Sequence, residues 1–208
     1  MYRLATKGDL NEAALLFAEA FADYPFYKLL SDGYKCRGKY IKALTKMNLV
    51  FLKTMVKSDA VLLSVENNKI IGLAVFERSD KKQPTIATFL RNGGLSVLLK
   101  IRPKRLFDFL KLTDDACAAC KRVEEDNWFL AAFCVHKNYH GTGVGSKMFL
   151  NGILPFAKEN CCKLITFNTN TQKNVDFYEK LNCNNFDKHL LVMRDIVLQN
   201  WAFKRYVD

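Results

Sequence analysis

The sequence has no apolar run approaching the roughly 18 residues that a membrane span requires. Its opening residues, Met1-Tyr2-Arg3-Leu4-Ala5-Thr6-Lys7, lack the apolar core of a secretory signal. The expectation is therefore a cytoplasmic protein with no membrane partner. Histidine is scarce as well, with 3 in 208 residues. His136 and His140 echo the spacing of a zinc-protease helix, but Lys137 stands where the catalytic glutamate belongs and the pair falls in a turn, so no metal is expected. A disulfide framework is missing too. The 7 cysteines are an odd number at scattered positions, which suits reduced thiols, and the single C-x-x-C, Cys117 and Cys120, has no second pair to complete a zinc site.

What is present is an ordinary globular composition, 50% hydrophobic and 25% charged, enough for one core and one domain over 1–208. The net charge of +11 and pI near 9.3 raise the question of nucleic acid. The lysines are spread over most of the chain opposite apolar stripes, so the expectation is a solvated basic surface favouring small anionic ligands, with no nucleic acid as partner.

In chain order, Tyr2 to Ala5 reads as an edge strand, and Asp9 with Glu12 as a capping-box start for a helix that ends near Asp23-Tyr24-Pro25. A longer helix is expected over 33–57. Between them, Tyr24-Pro25-Phe26-Tyr27 is either a hydrophobic plug or a pocket wall. Ala60–Val65, Asn67-Asn68 and Ile70–Phe76 form a hairpin signal. Residues 81–125 read as a helical insertion, with short helices over Leu95–Ile101 and Lys104–Leu112. There Phe107 and Phe109 either pack down as a lid or, with the nearby arginines and lysines, meet a membrane surface or RNA.

Trp128 to Val135 is an apolar run suited to a strand buried on both faces. His140-Gly141-Thr142-Gly143-Val144-Gly145 follows, and Ser146–Lys158 then carries apolar residues at helical spacing. Unpaired amides of a first helical turn behind glycines make a phosphate site. Strands over Lys163–Asn168 and His189–Val197 flank a helix over Asn174–Leu181, and the Trp201–Val207 tail is free to serve a homodimer. The whole is an α+β, mixed α/β chain.

The glycine spacing fits neither a dinucleotide fingerprint nor a Walker A loop, in which lysine precedes the hydroxyl residue. It resembles the [RQ]-x-x-G-x-[GA] signature of the GNAT acyltransferase superfamily. Downstream, Asn174-Val175-Asp176-Phe177-Tyr178-Glu179-Lys180-Leu181 is similar to that family's second signature, and the long insertion is most similar to its puromycin-acetyltransferase-like branch. The chain departs from the pattern at His140, where Arg or Gln is usual, and at Leu181-Asn182-Cys183.

The resemblance implies a central, mostly antiparallel sheet of six to seven strands flanked by helices, and transfer of an acetyl group from acetyl-CoA to an amine. It implies that the main chain of Phe133, Cys134 and Val135 holds the pantetheine arm, with an amide near Val135 meeting the carbonyl oxygen. The amides from His140 through Gly141, Thr142, Gly143, Val144 and Gly145 to Ser146 are implied to cradle the pyrophosphate. Asn168, Asn174 and Phe177 complete the cofactor contacts. Tyr178 is the expected general acid, since a phenol with pKa of about 10 suits protonation of a thiolate of about 8.5; as a bare aromatic it would be core. Glu125, in the acidic run Glu124-Glu125-Asp126, is the expected general base, against the reading of a solvated turn. Cys134 offers a ping-pong alternative, and a non-catalytic acyl-CoA sensor is the alternative for the whole chain.

Overall fold

The computed structural model describes residues 1–31, 33–58, 60–194 and 196–207. Its strands are β1 (Tyr2–Leu4), β2 (Val61–Glu66), β3 (Lys69–Glu77), β4 (Trp128–Val135), β5 (Leu164–Thr169), β6 (Asn184–Met193) and β7 (Ile196–Tyr206). They form one mixed α/β sheet in the order β1-β2-β3-β4-β5-β7-β6, antiparallel throughout except for β4 and β5. Helices α1 (Leu10–Phe21), α2 (Lys28–Ser31) and α3 (Arg37–Met55) precede the first hairpin. The insertion before β4 folds as α4 (Ile86–Arg91), α5 (Gly94–Leu98) and α6 (Pro103–Lys121), and α7 (Val144–Met148), α8 (Leu154–Glu159) and α9 (Gln172–Glu179) complete the set.

The period-2 alternation of the strands sends successive side chains into two different cores. Leu63, Leu73, Val75, Ala132 and Cys134 pack under α1, α3 and α6. Leu62, Ala74, Phe76, Trp128 and Leu130 pack under the α7–α8 segment and α9. Pro155 cannot donate a helical hydrogen bond, and the turn before it widens to a π-helix over Phe149–Ile153, with the Leu154 amide reaching back to Phe149.

Four local expectations change. The capping box lies one turn earlier than Asp9 with Glu12: the Asp9 carboxylate accepts from the Thr6 amide and hydroxyl, both at 2.7 Å, and is clamped by Arg3. Glu12 instead accepts from the Ile70 amide at 2.8 Å, tying α1 to the start of β3. The two helices expected over Leu95–Ile101 and Lys104–Leu112 are both present, as α5 and α6, but the second is longer than expected, because α6 runs from Pro103 on through the Ala/Cys stretch to Lys121; Cys117 and Cys120 are buried against β5. The lid reading holds for Phe109, which packs on Phe26 and Tyr27, and fails for Phe107, which is exposed. Finally, the single strand expected over His189–Val197, whose position 195 lies outside the described residues, is the turn region of a hairpin. The Trp201–Val207 tail belongs to β7, paired on both sides by β5 and β6, and is no free edge for a dimer.

Candidate active site

The site begins with one extra residue. Phe76 stands opposite Leu130 and Val75 opposite Ala132, so Ala131 is a bulge in β4. A bulge bends its strand and increases the local twist. The consequence appears on the other side of β4, where only Trp128 and Phe129 pair with β5, opposite Ile165 and Thr166. Beyond that point β4 runs to Val135 on β3 alone, and β5 runs to Thr169 on β7 alone. The facing edges therefore part, and the alternate main-chain groups of residues 131–135 that point away from β3 have no strand partner.

The far wall is held in place by a buried amide network. Asn200, wholly buried, accepts at its Oδ1 from Asn168 at 3.1 Å and Asn170 at 3.0 Å, and donates to the Ala116 carbonyl at 3.1 Å. Asn168, expected on the cofactor, has its amide turned into this network and not into the cleft. From the opposite side the Tyr24 hydroxyl bonds Thr169 Oγ1 at 3.0 Å and accepts from the Asn170 amide at 2.7 Å. The plug of the α1–α2 turn is thus also a clamp on the end of β5. Asn174 donates to the same Thr169 oxygen at 2.9 Å, so its Nδ2 orders the cleft wall while its Oδ1 is free of protein partners among the described residues.

The glycine loop closes the mouth of the cleft. Gly141 and Gly143 have φ of 79° and 81°, a left-handed conformation that favours glycine, and a side-chain carbon at either would meet nothing within 4 Å. Gly143 caps α7. Among the described residues, the amides of Gly141, Gly143, Val144, Gly145 and Ser146 have no hydrogen-bond acceptor. Such a row of free amides in front of open space is an arrangement that suits an anion. Gly145 lets the helix approach α9, with the Phe177 ring 3.5 Å from where its Cβ would stand and Val135 at 3.8 Å. Phe133 and Phe177 lie 6.2 Å apart at the same mouth, both half-exposed. His140 turns back to the strand, its Nε2 2.9 Å from the Val135 carbonyl, while His136 caps the next turn through Nδ1, so the two rings are separately engaged.

Tyr178 lies at the root of the cleft. Its ring packs on Phe167, Phe149 and Phe203, yet its hydroxyl has no hydrogen-bond partner among the described residues. Burial raises its pKa above that of an ordinary phenol, with Tyr24, Cys183 and Cys134 adding to the effect, so the hydroxyl is held protonated and is a weaker acid than an exposed phenol. Cys134 is buried and its thiol is pushed up to about 12, which removes the thiolate that a ping-pong route needs.

Glu125 is not brought to this site. It is exposed, its Oε1 accepts from Tyr206 at 2.9 Å, and it precedes the paired end of β4, about 25 Å of extended strand from Phe133 to Val135. A buried acid at the same end, not singled out in the sequence, is Glu77, opposite Phe129. It lines a cavity of about 170 Å³ with Cys120, Lys121, Phe129 and Thr166. Burial raises its carboxyl above the usual range, only partly offset by Lys121. No sequence signal marks Glu77, because its burial is created by α6, which arrives from the insertion. Tyr24 was legible only as an aromatic turn.

Residues 110–182, about a third of the chain, match the model of the acetyltransferase (GNAT) domain. The fold resembles that of an N-acetyltransferase from Staphylococcus aureus Mu50, at 13% identity and a TM-score of 0.60, covering 100% of this chain and 98% of that one. It resembles arylalkylamine N-acetyltransferase 2 from Aedes aegypti, at 11% identity and a TM-score of 0.65, covering 100% and 99%. A Salmonella typhimurium chain solved with its cofactor acetyl-CoA is similar at 14% identity and a TM-score of 0.59, covering 100% and 94%.

Proposed function

We propose that this GNAT-superfamily acetyltransferase, whose acyl donor is acetyl-CoA, moves the acetyl group directly to the primary amine of a small acceptor within a ternary complex. The observation that carries the reading is the parting of β4 from β5 after Phe129 and Thr166, directly before a loop whose amides are free. Those two features fit the two ends of acetyl-CoA. An extended amide-bearing arm takes the place of the missing strand partner along Phe133, Cys134 and Val135. A pyrophosphate suits the amides from Gly141 to Ser146.

Acetyl-CoA supplies a thioester, and the protein's part is to place and polarise it. An amide at the Val135 end of β4 donates to the carbonyl oxygen as negative charge develops there. Tyr178, neutral and free at its hydroxyl, gives its proton to the departing sulfur. Asn174 and Phe177 hold the arm against α9. Glu77, on the same sheet face as Ala132 and Cys134, stands opposite Phe129 at the paired end of β4, about 20 Å of extended strand from Val135, so like Glu125 it is too far to take the ammonium proton at the thioester. The acceptor amine loses that proton to solvent before it attacks. The named specificity of the mosquito protein for arylalkylamines supports a small amine as the acceptor class.

The test is purified protein with acetyl-CoA against a panel of small amines and lysine-bearing peptides, reading released thiol. Thiol release with a small amine, linear in enzyme, is expected. Tight acetyl-CoA binding by calorimetry, with no release for any acceptor, would establish the sensor reading instead.

A further inference from the structure

The insertion carries a feature that acetyl transfer does not use. Of the fourteen large apolar side chains exposed among the described residues, seven lie between Ile86 and Leu110. Scattered exposed apolar residues need no explanation, but these recur at helical spacing on outward faces. Leu95, Leu98 and Leu99 stand at i, i+3 and i+4 along α5 and its end, and Leu99 is 85% exposed. Phe107 and Leu110 repeat the i, i+3 spacing on α6, Phe107 being 68% exposed, and Ile86 and Leu90 do so at i, i+4 on α4.

These faces are not waiting to collapse inward, because the inward sides are already occupied. Val97, Ile101, Phe109 and Leu112 are buried. Asn92 donates to Thr54 on α3 at 2.9 Å, and the Lys100 carbonyl accepts from Tyr34. The outward side chains are therefore held out by a braced scaffold.

Charge selects what covers them. Residues 81–111 contain eight lysines and arginines against one acid, Asp108, so 8 − 1 = +7 of the chain's +11 lies in this stretch. Asp108 is itself bound by Arg194. A second copy of the chain would bring one strongly basic face onto another. A nucleic acid would answer the charge and leave the leucines without a partner. A surface offering both anions and hydrocarbon answers both.

We infer that the outer face of α4, α5 and the first half of α6 docks on anionic phospholipid bilayers, with leucines and Phe107 entering the headgroup boundary and the basic side chains on lipid phosphates. Among the described residues no helix is long and apolar enough to cross a membrane, and the inferred contact is a peripheral one. It is independent of the acetyl-transfer reading.

Co-sedimentation with large unilamellar vesicles tests this directly. The full chain is expected to pellet with phosphatidylglycerol/phosphatidylcholine vesicles, at least tenfold more than with phosphatidylcholine alone, and to lose most of that binding between 0.05 and 0.5 M salt, as order-of-magnitude conditions for screening about one Debye length. The triple variant Leu95→Ser/Leu99→Ser/Phe107→Ser alters only exposed positions and is expected to keep its thermal midpoint while losing vesicle binding at least tenfold. Lys100→Glu/Lys104→Glu should lose it as well. Failure of the wild type to pellet with anionic vesicles at low salt overturns the inference, as does equal pelleting by the triple variant. It is also overturned if sedimentation velocity shows a wild-type dimer that the triple variant abolishes while vesicle binding is absent.

Discussion

The two ends of β4 are built from similar residues and do opposite things. At the paired end, Trp128 is almost fully buried, with the Arg78 guanidinium 4.2 Å from its ring centre and Phe76 and Phe156 against its edges. Arg78 is itself held by Asp80 at 2.7 Å and Asn160 at 3.0 Å, and Thr166 donates to Asn127 at 2.7 Å. Every polar group named there has a partner. At the splayed end, seven residues on, aromatic rings are half-exposed, a tyrosine hydroxyl has no partner and a row of loop amides is free. Bonds already made inside the protein stabilise it and leave nothing for a ligand. Bonds left unmade at the second end are available to a ligand, and the bulge at Ala131 marks the change from one regime to the other.

The largest expected effect lies at the paired end. Replacing Trp128 by alanine removes a fully buried indole and its cation–π partner, at a cost of about 3–5 kcal/mol. For a chain of this size that lowers the thermal midpoint by about 6–20 °C. Acetyl-CoA affinity, measured by calorimetry well below the transition, should stay within about threefold of wild type. A stability loss under about 1 kcal/mol would break the comparison at its structural end.

Tyr178→Phe probes the other regime. With no protein partner for the hydroxyl, its removal orphans nothing, so the thermal midpoint and the acetyl-CoA dissociation constant should hardly change. Turnover should fall by about 10²-fold or more, the scale of a lost general acid. Unchanged turnover would remove the phenol from the chemistry.

Glu77→Gln probes the paired end a second time. Burial raises the Glu77 carboxyl above its unfolded value, so folding favours the protonated form. Its destabilising contribution is absent below the unfolded pKa, of about 4.3. It grows as pH rises through the folded value and is complete above it. The glutamine variant should therefore match wild-type stability near pH 4 and exceed it at pH 8 in urea titrations. Because Glu77 lies at the paired end, the KM for the amine and the acetyl-CoA affinity should stay within about threefold of wild type. A tenfold or greater rise in the amine KM would extend the acceptor site to the paired end of β4.

How much of this was legible in the sequence follows from the range of the interactions. The glycine loop and the N-x-x-F-Y helix were readable because each is set by residues within one or two turns, and their glycines and capping threonine appear in the chain itself. The bulge was not readable: Ala131 and Ala132 are indistinguishable until β3 supplies a register. Tyr24 reaches across 145 residues to Thr169. The final hairpin was misplaced because its turn has Arg194 at φ 56° where glycine or asparagine would have announced it. Glu125 looked suitable as an acid near a strand, but a strand has two ends, composition does not say which one opens, and Glu125 precedes the paired one.

His140 gives the smallest effect and the finest test of the division between main chain and side chain. Its ring bonds the Val135 carbonyl at 2.9 Å, fastening the loop to the strand at the point where β4 ends. The position is exposed, so this bond is worth only about 0.5–1 kcal/mol, and its Nε2 faces the strand and not the cradle. His140→Ala should weaken acetyl-CoA binding by no more than about fivefold, with turnover at saturating donor unchanged. His140→Arg, restoring the residue usual in the resembling signature, adds a charged fork beside the free amides and should tighten binding by a few-fold, an increment that fades as salt is raised. A loss of a hundredfold or more in the alanine variant would mean that the side chain, and not the row of amides from Gly141 to Ser146, holds the phosphates, and the splayed end would then owe its function to one residue instead of to its backbone.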